Sequence, residues 1–221
     1  EIDYPHQYGQ NKGRLLAAIQ WFIIRRSRPV ACSTYIQKTI VNKGIHAACV
    51  QNGVDVEKYH SPSEFQRASA RVHLGLPLDA LVFLSVGMLL DRKNYFRQLR
   101  AYAKCSATIN METKAIHLIV GGGDQEKRLK HEFPDENIQF LGNQTSALTA
   151  LHAADAFVSA SLGEGLPNSV LEAQATGLPL ILSDIPPHRE IVGDDAEVFD
   201  PYSVQSIENA FRRFVYNSNN R

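Results

Sequence analysis

Short apolar runs and amphipathic stretches alternate regularly along the chain from Leu81 onward. Apolar runs with the length and composition of buried strands occupy residues 81–87, 115–121, 138–142, 156–160, 179–184 and 197–200. Stretches with helical periodicity lie at residues 94–108, 125–133, 145–155, 169–176 and 203–217, with a short turn at 187–192. Strict alternation of strand and helix is typical of a parallel sheet covered on both faces. We therefore predict an α/β fold with a Rossmann-like, doubly wound, parallel six-stranded sheet.

The usual strand order of such a sheet places a candidate binding site between its first and fourth strands. In the order 3-2-1-4-5-6 the winding reverses at that point, and ligands bind outside the carboxyl ends of the two strands. The loop after the first strand, GMLLDRKN, carries Arg92 and Lys93, and the loop after the fourth, SLGEGLPN, carries Glu164. Cations for phosphates and carboxylates for sugar hydroxyls would meet there, as a nucleotide-sugar site requires.

Residues 156–184 form the most informative stretch, a predicted β-loop-α-β unit with a right-handed crossover. Glu164 lies in its glycine-rich loop and Glu172 lies one turn inside its helix. The helix begins at the carboxyl edge of the sheet, where its free N–H groups and its dipole favour an anion. Each of these residues also has an alternative interpretation without a role in binding. Glu172 would be an exposed helix residue, Glu164 would cap its own loop, and the two cations would be solvated surface charges.

Other motifs in this part of the chain carry weaker chemical signals. Gly121, Gly122 and Gly123 resemble a phosphate cradle, but the run GGGDQE lacks the third glycine of G-x-G-x-x-G, so we predict no dinucleotide fingerprint. The chain has no Asp-x-Asp pair that would hold a divalent metal against a diphosphate, so we expect neither a metal nor another cofactor. His188, in DIPPHRE, is interpreted as a surface residue or a residue that supports the site, rather than as a catalyst.

The first quarter of the chain has a different pattern. Residues 1–10 resemble a loop or a frayed arm, and residues 11–28 predict a basic helix whose apolar stripe comprises Leu15, Leu16, Ile19, Phe22 and Ile23. The stripe fits either a membrane surface or, as we favour, packing within a domain of which this is the last helix. The next predicted segments are a strand at 29–33, a helix at 34–43, a strand at 46–54 and an interdomain connection at 55–71.

Composition narrows the partners and the compartment. The 221 residues include 23 Lys and Arg against 23 Asp and Glu, a balance that argues against a general nucleic-acid footprint. Three scattered cysteines without a C-x-x-C pair fit a reducing cytoplasm and no metal knuckle. The longest apolar run, LLAAIQWFII, is about half of what a bilayer span needs. Because the chain opens on Glu1 rather than Met, we expect it to be a fragment or a processed piece.

The motifs between about residues 29 and 215 resemble the carboxyl-terminal half of a family-4 retaining glycosyltransferase of the GT-B fold. They are NGVDVEKY, LVFLSVGMLLDRKN, LIVGGGDQEKRL, NIQFLGN and AADAFVSASLGEGLPNSVLEAQATGLPLILSDIPPHREIVGDDAEVFDP. The most specific part is the spacing Glu, seven residues, Glu, formed by Glu164 and Glu172. The resemblance makes residues 1–60 the remnant of an amino-terminal acceptor-side domain with its linker, and residues 61–221 a nucleotide-sugar-binding domain.

The resemblance also implies a role for each matching residue. Glu172 would hold the ribose hydroxyls of the nucleotide, Glu164 would approach the transferred sugar, and Lys93 would contact the diphosphate during catalysis. The amides of the corner from Leu166 to Ser169 would meet phosphate or sugar oxygens, and the turn from Leu141 to Asn143 would lie near the base. The donor-binding positions other than Glu172 are Gly87, Arg92, Leu166, Asn168, Ser169, Gly142 and Asn143.

The chain departs from the family pattern in two places. Many members have Arg directly after the glycine that precedes Met88 here. Either Arg92 reaches the diphosphate instead, or the helix N-terminus balances more of its charge. The amino-terminal Rossmann-like domain, which binds the acceptor and closes the cleft in the family, is expected to be absent apart from its last elements.

The predicted function is therefore the donor-binding half of a retaining, hexosyltransferase-like enzyme of glycan or polysaccharide biosynthesis. Its partners would be a nucleoside diphosphate sugar and a sugar or lipid-linked acceptor bound through the missing domain, with no nucleic acid. We expect a cytoplasmic protein, with peripheral contact at the inner face of the membrane as a further expectation. The alternatives are a GT-B-like nucleotide-sugar epimerase and a non-catalytic binding module. The isolated fragment is expected to bind the donor without transferring its sugar.

Overall fold

A computed structural model of the chain describes residues 10–108, 114–193 and 197–219. The amino-terminal elements are α1 (Gln10–Arg26), β1 (Val30–Ala31), α2 (Thr34–Val41) and β2 (Ala48–Cys49). The strands β1 and β2 pair in parallel to form a small sheet. The order of these elements agrees with the prediction, although both strands are shorter than predicted. The predicted arm at residues 1–10 lies outside the described residues, apart from the residue that begins α1.

The larger part of the structure contains six strands that alternate with helices. The strands are β3 (Leu81–Val86), β4 (Ala115–Val120), β5 (Ile138–Gly142), β6 (Ala156–Ser159), β7 (Leu180–Ser183) and β8 (Glu197–Phe199). The helices are α3 (Glu64–His73), α4 (Tyr95–Thr108), α5 (Glu126–Glu132), α6 (Leu148–Ala153), α7 (Asn168–Ala175), α8 (Pro186–Val192) and α9 (Val204–Asn219). A 3₁₀ turn at Asp91–Lys93 precedes α4. The turn predicted at 187–192 is thus a helix, and prolines occupy its start, where their missing amides cost little.

The six strands form one parallel sheet in the order β5-β4-β3-β6-β7-β8. Counted from β3, this order is 3-2-1-4-5-6, so the predicted doubly wound α/β fold is confirmed. The winding reverses between β3 and β6, which pair through Phe83 with Ala156 and through Leu84 with Phe157. Because the two strands run in the same direction, the loops that leave their carboxyl ends lie side by side.

Alternating side chains of the central strands contribute to a core on each face of the sheet. On one face Phe83 packs edge-to-face against Phe211 of α9, with ring centroids 5.0 Å apart. On the other face Val82 and Leu84 belong to a second apolar cluster, which includes residues of α3, α6 and α7. Both faces are covered by helices, which is why β4 is buried along its whole length.

Helix α3 falls within the stretch that we predicted to be an interdomain connection. Its start is closed by a capping box, in which the Ser63 hydroxyl accepts from the Gln66 amide and the Gln66 side chain accepts from the Ser63 amide. Ser63, which lies within the predicted connection at 55–71, therefore caps a helix. Arg71 fixes the helix on the sheet, because it is 3% exposed and donates to Asp155 at 2.8 Å. Asp155 also accepts from the backbone of β3 at 2.7 Å.

Helix α1 packs differently from the prediction. Trp21 and Ile24, rather than the predicted stripe, contact the apolar cluster formed by α2 and its neighbours. Four residues of the predicted stripe are exposed by 46 to 61%, namely Leu15, Ile19, Phe22 and Ile23. None of the helices within the described residues is both long and apolar enough to cross a bilayer. The domain division at residue 60 stays a prediction, and Tyr59, just before it, already belongs to the core of the larger sheet.

We expect Asp155→Ala to lower the free energy of unfolding by about 3 kcal/mol, because it leaves a buried guanidinium without its carboxylate. Burial lowers the pKa of Arg71 while Asp155 opposes that effect. Asp184→Ala is the matched control, since Asp184 pairs with Arg189 where the side chains are 49% and 40% exposed. Its loss should cost less than about 1 kcal/mol. Urea denaturation compares the variants, and equal losses would contradict the role given to Asp155.

Candidate functional site

The loops after β3 and β6 meet at the carboxyl edge of the sheet, where a backbone hydrogen bond joins them. The amide of Leu162 donates to the carbonyl of Arg92 at 2.8 Å. The side chain of Asn94 adds two bonds, in which Nδ2 donates to the carbonyls of Ala160 at 3.0 Å and Pro201 at 2.8 Å. Asn94 is 4% exposed and has φ 60° and ψ 28°, a left-handed conformation that asparagine tolerates better than most residues. One residue therefore turns the chain sharply and also holds the neighbouring loop.

Glu164 lies in this junction with its side chain 6% exposed. Its Oε1 accepts from Lys93 Nζ at 2.6 Å and from the Ser161 hydroxyl at 2.7 Å. Its Oε2 accepts from Arg92 Nη1 at 3.0 Å. The structure thus brings together the carboxylate and the two cations that the strand order places at the switch point. Lys93 is only 13% exposed and is not a solvated surface charge, whereas Arg92 is 43% exposed.

Opposing effects act on the pKa of Glu164. Burial raises this pKa, but the charge and hydrogen bond of Lys93, the hydroxyl of Ser161 and the charge of Arg92 together hold it below its usual value. The carboxylate is therefore ionised at neutral pH. Because two cations face one carboxylate, the group of three carries a net positive charge, which favours an anionic ligand.

Glycines allow the loops after β3 and β4 to approach each other. A Cβ on Gly121 would overlap the carbonyl of Gly87, and a Cβ on Gly123 would lie 2.7 Å from the carbonyl oxygen of Leu89. The amide of Leu89 also donates to the carbonyl of Gly122 at 3.0 Å. Close packing of two loops thus accounts for these glycines, which the sequence had associated with a phosphate cradle. The loop that contains these glycines thus packs against the loop that carries the two cations.

Glu172 lies one turn into α7 and is half-buried. Burial raises the pKa of its carboxyl, although a hydrogen bond from the side chain of Tyr59 and the charge of Lys58 act in the opposite direction. The alternative of a fully exposed helix residue therefore does not hold. Pro167, at the N-cap of α7, makes no side-chain hydrogen bond to the helix. An uncapped helix start of this kind is suited to an anion.

Three further predicted positions lie at the same edge of the sheet. Gly87 follows β3 with φ 155°, a value that favours glycine, and it lies against Lys93, whose Nζ would be 3.4 Å from an added Cβ. Gly142 ends β5 with φ 65°, a value that favours glycine. The side chain of Asn143 lies over Gly122, where an added Cβ would be 3.0 Å from its Nδ2. These positions lie at the carboxyl ends of β3 and β5, with the loop after β4 between them.

Asn52 reaches the start of α7 from the amino-terminal part of the chain. Its Nδ2 donates to the Leu166 carbonyl at 3.1 Å and to Asn168 Oδ1 at 2.9 Å. Leu166 is buried, Ser169 is half-buried and Asn168 is exposed. The predicted donor-binding corner therefore has a partner within the chain, which the sequence analysis did not identify.

Glu190 joins the same two parts of the structure and was also missed. Its Oε1 accepts from the amide of Thr34 at 2.6 Å and from Gln51 Nε2 at 2.7 Å, and its Oε2 accepts from the amide of Tyr35 at 2.9 Å. Glu190 thus caps the first turn of α2 from α8. Its backbone partners lie 156 and 155 positions away in the sequence, so no local pattern identifies the contact.

A cleft of about 300 Å³ lies between the amino-terminal helices and the loop after β6. Arg92 and Glu164 line one side, and Trp21, Ile36 and Ile40 line the other. The ion-paired carboxylate therefore borders a space with one charged wall and one apolar wall.

His188 is completely buried, so the prediction of a surface residue is wrong and only its interpretation as a supporting residue remains. Its Nδ1 lies 2.9 Å from the carbonyl of Ser183, whose hydroxyl donates to the carbonyl of Ser161 at 2.6 Å. The sequence analysis missed both serines, because a serine near the end of a strand has no distinguishing local pattern.

Comparison with known proteins gives a family match over most of the chain. Residues 66–221 match the family described as "Glycosyl transferases group 1". The chain is 35% identical over 157 residues to UDP-Gal:alpha-D-GlcNAc-diphosphoundecaprenol alpha-1,3-galactosyltransferase of Escherichia coli, a match that covers 68% of this chain and 40% of that protein. It is 30% identical over 127 residues to an uncharacterized glycosyltransferase of Methanocaldococcus jannaschii, covering 55% of this chain and 30% of the relative. The matches thus span less than half the length of these relatives.

Solved structures show the same fold at lower identity. The complex of Anabaena HepE with UDP and glucose has a TM-score of 0.79 and 18% identity, covering 99% of this chain and 61% of that one. WaaG, a glycosyltransferase involved in lipopolysaccharide biosynthesis, has a TM-score of 0.79 and 17% identity, covering 96% of this chain and 63% of that one. The α/β architecture therefore matches GT-B glycosyltransferase structures.

We expect the free energy of unfolding of Lys93→Ala to fall at a higher pH than that of wild type when the solution is acidified. The pKa of Glu164 is held below its usual value, so its ionised form stabilises the fold above the unfolded-state pKa, and this contribution is lost as the pH falls through the folded-state pKa. Without Lys93, burial acts against a weaker counter-charge and the folded-state pKa rises. Arg92→Ala should shift the profile less, because Arg92 is more exposed. Urea denaturation between about pH 3 and 7 tests this, and superimposable profiles for wild type and Lys93→Ala would contradict it.

Proposed function

The chain belongs to the glycosyl transferases group 1 family, and on that basis we propose that it is the donor-binding half of a nucleotide-sugar-dependent transferase. The transferase moves a sugar from a nucleoside diphosphate sugar to an acceptor in glycan or polysaccharide biosynthesis. The observation that carries the proposal is the buried Glu164 carboxylate held by Lys93 and Arg92 at the switch point between β3 and β6. A switch point is where doubly wound sheets bind their ligands.

The diphosphate of the donor is assigned to Lys93 and Arg92. Their two charges exceed the single charge of Glu164, so the three groups carry a net charge of +1, which favours binding of an anionic diphosphate. Amides between Leu166 and Ser169, at the uncapped start of α7, supply further donors for phosphate oxygens. Arg92 thereby takes the part that family members give to an arginine at the position of Met88.

Glu172 is assigned to the ribose hydroxyls. Its carboxylate is half-buried, and the side chain of Tyr59 and the charge of Lys58 favour its ionised form against the effect of burial. A carboxylate with two oxygens retains lone pairs for hydroxyl donors after accepting one hydrogen bond. The turn that contains Gly142 and Asn143 then lies near the base.

Glu164 is assigned to the transferred sugar, at the edge of the cleft. As the bond to the sugar breaks, negative charge develops on the departing diphosphate, and fixed cations stabilise that charge most effectively where water is excluded. Lys93 is nearly buried and already oriented by Glu164, so it meets this requirement without reorganisation. Retention of the anomeric configuration and placement in family 4 are proposed on the resemblance to that family, whose most specific part is the spacing between Glu164 and Glu172.

The names of similar proteins narrow the first donors to test. One relative is a UDP-Gal-dependent transferase that acts on a diphosphoundecaprenol-linked sugar, and the HepE structures contain UDP or UDP-glucose. We therefore propose a UDP-sugar donor and a sugar or lipid-linked acceptor, at the cytoplasmic side of the membrane. No metal is assigned to the site. Within residues 10–108, 114–193 and 197–219, no group of three or more His, Cys, Asp or Glu is arranged to hold one.

Loss of the Glu172 charge should weaken nucleotide binding about tenfold to a hundredfold, because a hydrogen bond to a charged group contributes about 1.5 to 3 kcal/mol. The variant is Glu172→Gln, titrated with UDP by calorimetry. Glu136→Gln is the matched control, since Glu136 is 83% exposed and precedes the amino end of β5, at the opposite edge of the sheet. The control should bind as wild type does. Equal affinity of Glu172→Gln and wild type for UDP, GDP and ADP would contradict the assignment.

A further inference from the structure

A row of four buried polar side chains connects α8 with the carboxylate of Glu164. His188 and Ser183 are 0% exposed, Ser161 is 1% exposed and Glu164 is 7% exposed. Ser183 ends β7, and Ser161 lies two residues after the neighbouring strand β6. No member except Glu164 has a role in the proposed function, and none of the other three is accessible to a substrate.

The hydrogen-bond directions in this row follow from the number of protons available. The Ser183 hydroxyl has one proton, and it lies 2.6 Å from the carbonyl oxygen of Ser161, which can only accept. The hydroxyl therefore donates to that carbonyl. His188 Nδ1 lies 3.1 Å from the same hydroxyl oxygen and 2.9 Å from the carbonyl oxygen of Ser183. Because both of these atoms act as acceptors toward the ring, Nδ1 must carry a proton.

The other ring nitrogen of His188, Nε2, is buried and has no hydrogen-bond partner among the described residues. Burial lowers the pKa of His188, while the Ser183 carbonyl and Glu164 oppose that effect and Lys93 acts with it. A second proton would place an unpartnered charged donor in the interior, so the ring is the neutral Nδ1–H tautomer.

The far end of the row acts on Glu164 directly. The backbone carbonyl of Ser161 is held by Ser183, and the hydroxyl of the same residue donates to Glu164 Oε1 at 2.7 Å. That oxygen is also the one that accepts from Lys93 at 2.6 Å. The row therefore fixes Ser161, whose hydroxyl holds the oxygen of Glu164 that accepts from Lys93.

We propose that His188 is a positioning residue for Glu164, which it orients through the Ser183 hydroxyl and the Ser161 peptide. Its importance for transfer rests on the proposed function, whereas its effect on the carboxylate does not. Without the Nδ1–H donor, the Ser183 hydroxyl is free to turn away, and the Ser161 loop loses the bond that fixes its carbonyl. The Ser161 hydroxyl then no longer stabilises the ionised form of Glu164 to the same degree, and the carboxylate is displaced from Lys93.

Two substitutions separate the hydrogen bond of His188 from its packing. His188→Asn keeps a donor close to the position of Nδ1 and removes the unpartnered Nε2, whereas His188→Phe keeps a ring and removes the donor. The readout is the pKa of Glu164, measured by carboxyl ¹³C NMR on the 221-residue chain and assigned with Glu164→Gln. His188→Phe should raise this pKa by about 0.5 pH unit or more, and His188→Asn should leave it within about half of that shift.

Two controls complete the experiment. Leu118→Ala opens a cavity in the same sheet at a residue that is 0% exposed and outside the row, so it tests whether lost stability alone moves the pKa. It should not. UDP titration of wild type tests the proposed function separately, since absent UDP binding would reject that function and leave the NMR result on Glu164 standing.

The ¹⁵N shifts of the wild-type His188 ring test the proton assignment without any substitution, and the Nε2–H tautomer would overturn the proposal. Equal pKa values of Glu164 in His188→Phe and wild type would also overturn it, as would equal shifts in the Phe and Asn variants. If His188→Phe does not fold, Ser183→Ala removes the next member of the row. That variant should raise the pKa of Glu164 in the same direction, and an unchanged value would reject the proposal.

Discussion

The ion pair between Glu164 and Lys93 is the interaction on which the rest of the site depends. A carboxylate that is almost fully buried is costly unless charged and polar partners surround it, and here it receives three hydrogen bonds, from Lys93, Arg92 and Ser161. The cations lie in the loop after β3 and the carboxylate in the loop after β6, so the pair can form only where these strands are neighbours. The ion pair therefore depends on the strand order, which places β3 beside β6.

Several details of the surrounding backbone follow from the need to hold this pair in place. Asn94 adopts a left-handed conformation and joins the two loops, and Gly87 lies against the lysine. Gly121 allows the next loop to press against the first. The pair is thus held from several directions before any ligand binds. Preorganisation of this kind is what a site needs when it stabilises charge that develops on a leaving group.

Polar contacts join the amino-terminal elements α1 to β2, and the segment that follows them, to the site. Glu190 caps α2, and Asn52 binds the corner at the start of α7. The small apolar cluster formed by α1, α2 and the residues beside them is separate from the two clusters of the larger sheet. The cleft between the parts is bordered by Glu164 and Arg92. Contacts that consist of a few hydrogen bonds can break and reform at low cost.

The sequence was sufficient for the sheet and for the charged pair, but not for the contacts that support them. Alternating apolar runs give the strands, and the rule for switch points then places Lys93 beside Glu164 without any knowledge of side-chain geometry. The helix that Ser63 caps lies in the predicted connection at 55–71, and serine is common both in linkers and at helix N-caps, so this residue does not distinguish the two. Glu190 accepts from backbone amides that lie 156 and 155 positions away, and Ser183, the partner of His188, bonds to Ser161 of a different strand end, so no local pattern identifies these contacts. The same limit applies to α1, where Trp21 rather than the predicted stripe faces the small cluster.

The cations at the switch point are proposed to bind the diphosphate of a nucleotide sugar. Calorimetric titration of wild type and Lys93→Ala with UDP and with UMP in the same buffer distinguishes this role from a purely structural one. Loss of a charge-assisted contact is expected to weaken UDP binding by about tenfold or more, while UMP binding changes by less than about threefold, because UMP lacks the second phosphate. Equal losses for the two ligands, or wild-type affinity for UDP no higher than for UMP, would contradict the account.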